Sequence, residues 1–290
     1  MIIRGERKME QKLKGKTVVV TGAAGTLCSE IAVDMAERGA YVVLIGRTEE
    51  KLQKVAQLIR NAGNNCCVQV GDVTDEARMT QISESLAEEG RICDILINGA
   101  GGNQNRAVTK YTAFDGEELK EENREAANGF FTMDMGVFES VVKTNVLGTV
   151  IPSRVFGRQM AEKRKGNILN FASMNSYKPL SRVPAYAISK AGIVNFTEWL
   201  SAYLAPAGIR VNAIAPGFFV NERSKKILQT ADGGLTSRGE KIIDHTPAGR
   251  FGQAEDLLGC VRWLTDDDAA AFVTGVTIPV DGGFRGVSGV

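Results

Sequence analysis

Along nearly the whole chain, short runs of consecutive apolar residues alternate with longer stretches whose apolar positions recur every three or four residues. The short runs are Thr17–Val20, Tyr41–Ile45, Cys66–Val70, Asp94–Ile97, Asn167–Phe171, Ile209–Ile214 and Val276–Val280. They lack the in–out alternation of a half-wet strand, so each reads as a strand covered on both faces. Leu27 to Arg38, stopped by Gly39, reads as a helix. So do Glu49 to Asn61, with Leu52, Val55, Leu58 and Ile59 on one side, and Asp75 to Glu88. Strands that alternate with helices imply right-handed crossovers and a parallel sheet. The expected fold is α/β, a doubly wound parallel sheet of about seven strands with helices on both faces.

No repeat, low-complexity tract or Pro- or Ser-rich linker divides the chain, so residues 1–290 are expected to form a single domain. Residues 1–15 are charged and read as a solvated N-terminal arm, not a secretory signal. Two stretches break the rhythm. Residues 102–135 are polar, with a charge run at Glu117 to Glu125, and residues 218–250 contain Gly233-Gly234. Both follow strand C-termini, where open α/β sheets bind ligands, so both are expected to be substrate-side insertions.

Composition narrows the function class. The 35 basic and 34 acidic residues nearly cancel, which argues against a nucleic-acid or membrane-surface partner. No apolar run is long enough to span a bilayer. Five cysteines, Cys28, Cys66, Cys67, Cys93 and Cys260, include no C-x-x-C, and His245 is the one histidine. That pattern suits reduced thiols in a cytoplasmic protein with no metal site.

The first strand leads into Thr21-Gly22-Ala23-Ala24-Gly25-Thr26-Leu27 and then a helix. Small residues let a pyrophosphate approach the backbone, and the helix N-terminus offers free N–H groups and a positive dipole end. Asp72-Val73 follows the third strand, placed toward an adenine ring, and Asn98-Gly99-Ala100-Gly101 follows the fourth. The second strand ends in Gly46-Arg47, where an acidic residue would bind ribose hydroxyls and an arginine suits a 2′-phosphate. Arg47 inclines the expected cofactor toward NADP, with NAD left open.

Tyr186 and Lys190 are four residues apart in a helical stretch and share a face. A phenol titrates too high for efficient proton transfer near neutrality, and a neighbouring ammonium lowers it. Ser173 lies just past the strand Asn167–Phe171 and is placed to hold a substrate oxygen.

These pieces, together with Asn145, Pro216-Gly217 and Asp281-Gly282-Gly283, resemble the short-chain dehydrogenases/reductases over nearly the full length. The resemblance implies a Rossmann-type, dinucleotide-binding oxidoreductase, commonly tetrameric. It implies Tyr186 as acid/base, Ser173 positioning the oxygen, Lys190 lowering Tyr186 and binding the nicotinamide ribose, and Asn145 holding a relay water. Thr21, Gly22, Ala24, Gly25, Thr26, Leu27, Arg47, Asp72, Val73, Asn98, Gly99, Ala100, Tyr186, Lys190, Pro216 and Gly217 are then the cofactor contacts. Two stretches depart from the family: Thr26 and Cys28 stand where glycines are usual, and Phe218-Phe219-Val220-Asn221 where a threonine often follows Pro-Gly.

Gly25–Ser29, Ile97–Asn103, Ser173-Met174-Asn175, Pro216–Phe219, His245–Gly252 and the ending Val280–Val290 are similar to the D-mannonate oxidoreductases (fructuronate reductases) of that family. That likeness implies D-fructuronate/D-mannonate interconversion in hexuronate breakdown. A sugar acid needs polar partners for its alcohols, for which Asn103, Gln104, Asn105 and Asn175 are candidates. It also needs a cation for its carboxylate, for which Arg106, Lys178, Arg182 and Arg223 are candidates. His245 is expected to cap or pack rather than to act as a base. Another ketogluconate, a polyol, a 3-oxoacyl substrate or a non-catalytic nucleotide sensor are the alternatives.

Overall fold

The computed structural model describes residues 11–126, 129–220, 225, 228–230 and 232–287. Seven parallel strands form one sheet in the order β3-β2-β1-β4-β5-β6-β7. They are β1 (Thr17–Thr21), β2 (Tyr41–Gly46), β3 (Cys66–Val70), β4 (Cys93–Asn98), β5 (Gly166–Phe171), β6 (Ile209–Pro216) and β7 (Thr277–Val280). All seven apolar runs of the sequence are therefore strands, and the fold is the expected Rossmann-type α/β sheet.

The layering follows from strand geometry, because successive side chains point to opposite faces. Val18 and Val20 of β1 enter one core, with Ile31 and Met35 of α1 (Thr26–Glu37), Leu52 and Ile59 of α2 (Glu49–Asn61), and Val261 and Leu264. Val19, between them, enters the other core, with Met79, Ile82 and Leu86 of α3 (Glu76–Glu88) and Phe156 and Met160 of α4 (Met135–Glu162). The remaining helices are α5 (Pro184–Leu204), α6 (Ser237–Asp244) and α7 (Leu258–Leu264). Because every strand runs the same way, the loops after β1, β2, β3, β4, β5 and β6 all leave from one edge of the sheet. Strand order reverses between β1 and β4, which opens a crevice at that edge.

Two local expectations change. The arm is not wholly solvated: Leu13 is 2% exposed, its N–H donates to Arg38 O at 2.9 Å, and Lys12 and Lys16 pair with Asp266 and Asp267. The apolar side chain of Leu13 gains more from the core than from water. Residues 102–135 and 218–250 also carry structure of their own: 3₁₀ turns at Asn105–Ala107, Gly116–Leu119 and Glu121–Ala126, and helix α6. No helix among the described residues is long and apolar enough to cross a membrane.

Candidate active site

A cleft of about 240 Å³ opens where β1, β2, β3 and β4 end. Its wall includes Gly22, Ala24, Gly25, Arg47, Asp72, Val73 and Ala100, all expected from the sequence, and also Thr48, Lys51 and Thr144, which were not. Lys51 sits one turn past Arg47 on α2, so a second cation near the first was the available signal. Gly22 has φ +64, and a Cβ there would come within 2.8 Å of Ala100 Cα, so only glycine keeps the floor of the cleft open. Helix α1 starts at Gly25 with no side-chain cap and no acidic residue in its first turn. Its free N–H groups and dipole are thus left for an anion, and the cleft fits the pyrophosphate of a dinucleotide.

Asp72 uses Oδ1 to accept from Thr74 N and Oγ1, both at 2.8 Å, and its Oδ2 lies 4.0 Å from Arg47 Nη1. Thr21 is fully buried and ties the ends of β1 and β4, its Oγ1 accepting from Ala100 N at 3.2 Å. Thr26 and Leu27 occupy the first turn of α1. Pro216 ends β6, and Gly217 packs so closely on Asp281 that a Cβ would lie 2.6 Å from its Cα. The Pro-Gly and Asp-Gly-Gly pieces of the sequence are therefore one contact.

Asn98 also ties the sheet to its helices. Its side chain is 1% exposed and donates to Ser153 Oγ at 2.8 Å and Asn170 Oδ1 at 2.9 Å. Asn170 in turn donates to Thr197 Oγ1 at 3.0 Å. The Asn98 Nδ2 is thus a buried rivet joining β4, β5, α4 and α5, while its Oδ1 is buried without a partner among the described residues.

The departure at Cys28 also resolves. Burial pushes this thiol up to about 12 against the opposing Lys190 charge, so it is a neutral apolar filler. Its sulfur occupies the space where a Gly99 Cβ would stand. The family's glycine at position 28 has been exchanged for a sulfur that the glycine at 99 accommodates.

The four residues expected to do the chemistry converge. Ser173 caps the 3₁₀ turn Met174–Ser176, accepting from Asn175 N at 3.2 Å, and its hydroxyl hydrogen-bonds the Tyr186 phenol. Lys190 is 5% exposed, its Nζ 5.7 Å from the Tyr186 ring centroid and donating to Phe171 O at 2.6 Å. Asn145 is fully buried, and Gly101 lies between it and Lys190: a Cβ on Gly101 would meet Asn145 Oδ1 at 2.4 Å and Lys190 Nζ at 3.7 Å.

Burial raises the Tyr186 phenol above its ordinary value, opposed by the Ser173 hydrogen bond. Burial also brings the Lys190 ammonium down to about 8, opposed by Cys28. Asn145 is a clamp: its Nδ2 donates to Gly102 O at 2.8 Å and Val141 O at 2.9 Å, and its Oδ1 accepts from Gly102 N at 2.9 Å. Both amide donors are spent, which leaves one lone pair on Oδ1 for a water.

Of the sugar-acid candidates, Asn175 is 2% exposed, with Oδ1 accepting from Leu180 N at 2.7 Å and Nδ2 buried without a partner. Asn103 Oδ1 is likewise buried and unpartnered. Gln104 donates to Ser140 Oγ at 3.1 Å, and Asn105 is exposed at the start of a 3₁₀ turn. Arg106 is paired with Asp134 at 2.7 Å, and Lys178 donates to Val287 O. Arg182 donates from Nε to Thr109 O at 2.6 Å. Arg223 lies outside the described residues. His245 caps α6, its Nδ1 2.7 Å from Lys241 O. The described residues hold no cluster of three His, Cys, Asp or Glu able to bind a metal.

A dinucleotide cleft beside a Ser–Tyr–Lys–Asn cluster defines a nucleotide-dependent oxidoreductase. Residues 16–232 match the family model of the short chain dehydrogenases, and the protein belongs to that family. It is 43% identical to the uncharacterized oxidoreductase UxuB of Bacillus subtilis over 284 residues, spanning 97% of this chain and 99% of that one. Among solved structures it is similar to a provisionally assigned D-mannonate oxidoreductase of Haemophilus influenzae with bound NAD: TM-score 0.88, 40% identity, 96% and 98% of the two chains. It also resembles a gluconate 5-dehydrogenase of Burkholderia cenocepacia in complex with NADP and tartrate: TM-score 0.79, 26% identity, 96% and 98% covered.

Proposed function

We propose that this oxidoreductase interconverts the ketone of a hexuronic keto acid and the corresponding alcohol, D-fructuronate and D-mannonate, with NADP(H) as the preferred nucleotide. The observation that carries the reading is the gathering of Ser173, Tyr186 and Lys190, with Asn175, two residues past Ser173, keeping a buried Nδ2 and Asn103 a buried Oδ1 that no protein group satisfies. An orphaned buried donor and acceptor cost stability unless a ligand satisfies them, and the hydroxyls of a sugar acid can satisfy both. The likeness to D-mannonate and gluconate oxidoreductases supports the same substrate class.

In the reducing direction Tyr186 donates its phenolic proton to the carbonyl oxygen while the Ser173 hydroxyl holds that oxygen. When bound, the nicotinamide supplies a hydride to the carbonyl carbon and takes one back in the reverse reaction. Lys190, with Tyr186, holds the nicotinamide ribose and opposes the negative charge left on the phenol. Asn145 keeps Gly101 and Gly102 where the cofactor must pass, and one lone pair of its oxygen holds a relay water. Gly22, Gly25, Gly99 and Ala100 line the pyrophosphate path, Asp72 and Val73 the adenine, and Pro216 and Gly217 the nicotinamide end. Residues 102–135 and 218–250 enclose the substrate within a single domain.

Arg47, with Thr48 and Lys51 beside it and no carboxylate at the end of β2, favours a 2′-phosphate. Mixing the protein with D-fructuronate and NADPH or NADH, against 5-ketogluconate and an acetoacetyl thioester, is expected to give fastest turnover with D-fructuronate and NADPH. Arg47→Ala is expected to raise the NADPH KM about tenfold and leave NADH unchanged. Turnover on the thioester alone overturns the substrate, and better use of NADH overturns the cofactor preference.

We further propose a cytoplasmic homotetramer. Ile188, Trp199 and Tyr203 of α5 are 59%, 57% and 67% exposed, and the Trp199 and Tyr203 rings stack at 5.1 Å, an apolar face suited to a second copy. Light scattering is expected to give four times the 31.2 kDa mass of one subunit, and a monomer in solution overturns the assignment.

A further inference from the structure

β7 is parallel to the other strands, so the chain that follows it emerges at the ligand edge of the sheet. Gly282 and Gly283 have φ +63 and +90, and two left-handed residues in succession turn the chain sharply there. Asp281 fixes the turn: Oδ1 accepts from Gly283 N at 2.9 Å and Oδ2 from Arg285 N at 2.8 Å. The 3₁₀ turn Phe284–Gly286 is thereby set in place against three other segments. Phe284 meets the Phe218 ring edge-on at 5.2 Å, just past β6, and lies 6.5 Å from the His245 ring at the end of α6. Arg285 lays its guanidinium over the Tyr177 ring, 3.9 Å from the centroid, and Lys178 Nζ donates to Val287 O.

Tyr177 and Lys178 belong to the turn that carries the catalytic serine. Ser173 opens the 3₁₀ turn Met174–Ser176 and Tyr177 closes it, Tyr177 N donating to Met174 O at 3.0 Å. Ser176 N donates back to Ser173 O at 2.9 Å, and Ser176 Oγ donates to Lys190 O at 2.7 Å. One short turn thus starts at Ser173, is bonded to the helix of Tyr186 and Lys190, and ends in a ring covered by the last segment of the chain. On the sheet side the Tyr177 hydroxyl reaches Thr277 O only at 3.5 Å. A half-buried ring with one long hydrogen bond is held mainly by what packs on it, and a guanidinium over an aromatic face adds electrostatic attraction to its contact area.

We propose that Arg285 is a positioning residue for the reaction: stacked on Tyr177, it holds the turn that presents Ser173, and with Phe284 it makes the C-terminal segment a strap across the substrate side. The proposal rests on the Ser173–Tyr186 chemistry above and not on the identity of the substrate. Arg285 acts through Tyr177, so its loss slows the chemical step more than it weakens binding. A hydroxyl displaced by a fraction of its proper distance to the carbonyl oxygen costs rate, because catalysis depends on the placement of groups to within about an ångström.

The test is steady-state kinetics and thermal unfolding of the wild type, Arg285→Met, Arg285→Lys, Tyr177→Leu and the Arg285→Met/Tyr177→Leu double variant. The substrate is whichever of D-fructuronate, 5-ketogluconate and an acetoacetyl thioester the wild type reduces fastest, with its better nucleotide. Arg285→Met is expected to lower kcat about 5- to 30-fold, the equivalent of one stacked cation, with both KM values within about threefold and Tm within about 3 °C of wild type. Arg285→Lys should recover part of the rate, since an ammonium still binds the ring face but does not stack on it. Tyr177→Leu should lose as much as Arg285→Met, and the double variant no more than Tyr177→Leu alone. Arg285 is exposed, so Arg285→Met decides the matter if Tyr177→Leu fails to fold. An unchanged kcat in Arg285→Met overturns the strap. So does a raised substrate KM at unchanged kcat, which makes Arg285 a direct substrate contact, and so does a lowered Tm with no rescue by Arg285→Lys, which makes the stack structural only. Full activity in Tyr186→Phe, or no reduction of any of the three substrates by the wild type, overturns the chemistry itself and the role of the strap with it.

Discussion

Tyr186→Phe is expected to lower kcat by about 100- to 10,000-fold, the range for loss of a positioned general acid or base, while nucleotide affinity stays within about threefold of wild type. The variant keeps the aromatic ring that packs near Lys190 and removes only the hydroxyl that bonds Ser173. Rates and nucleotide binding measured on the same preparation check it; undiminished turnover removes Tyr186 from the chemistry. The pH profile adds a second reading of the same site. Burial holds the phenol above its ordinary value, so Tyr186 stays protonated, as reduction requires, into the alkaline range. Lys190, brought down to about 8, loses its charge first as pH rises. Nucleotide kcat/KM for reduction is therefore expected to fall above about 8, and a profile that stays flat well past that value contradicts the role given to Lys190.

Gly99→Ala is expected to destabilise the protein by about 3 kcal/mol, the upper part of the usual overpacking cost, and to lower Tm by about 5–10 °C. The new methyl group would stand on the Cys28 sulfur and 3.1 Å from Thr21 O. Because the sulfur is the nearer obstacle, Cys28→Ala in the same protein should restore most of the loss, although Cys28→Ala alone is mildly destabilising. Thermal unfolding of the two single variants and the double variant gives the coupling between the sites. Additive effects show that Cys28 and Gly99 are not one packing unit. The same experiment tests why a residue larger than glycine is tolerated in the first turn of α1.

The seven strands were legible because a strand buried on both faces has a purely local signature, a run of apolar residues, and each run became a strand. Helix α4 was not legible. Its 28 residues contain Gly148, Pro152 and Gly157 and are packed by the sheet, α3 and α5, so no single apolar stripe marks it. The glycine loop, Arg47, Asp72, Ser173, Tyr186 and Lys190 could be read in advance because the chemistry dictates residue type and spacing. Thr48 and Thr144 could not, since an isolated threonine has nothing in its neighbours to distinguish it from a solvated one, and Lys51 was signalled only by its nearness to Arg47.

The sequence by itself determined the sheet and its two covered faces, and it named the residues of the proposed acid/base cluster. Those depend on local periodicity and on short motifs. Only the tertiary structure decided the direction and partners of particular side chains. It turned the Asn98 amide nitrogen into a rivet, spent the amide of Asn145 on Gly102, set Cys28 against Gly99 and buried Leu13. Each of these outcomes is a contact between segments distant in the sequence. Such a contact depends on how the layers stack and on whether a polar atom finds a protein partner once water has gone, and neither is encoded in the residues on either side.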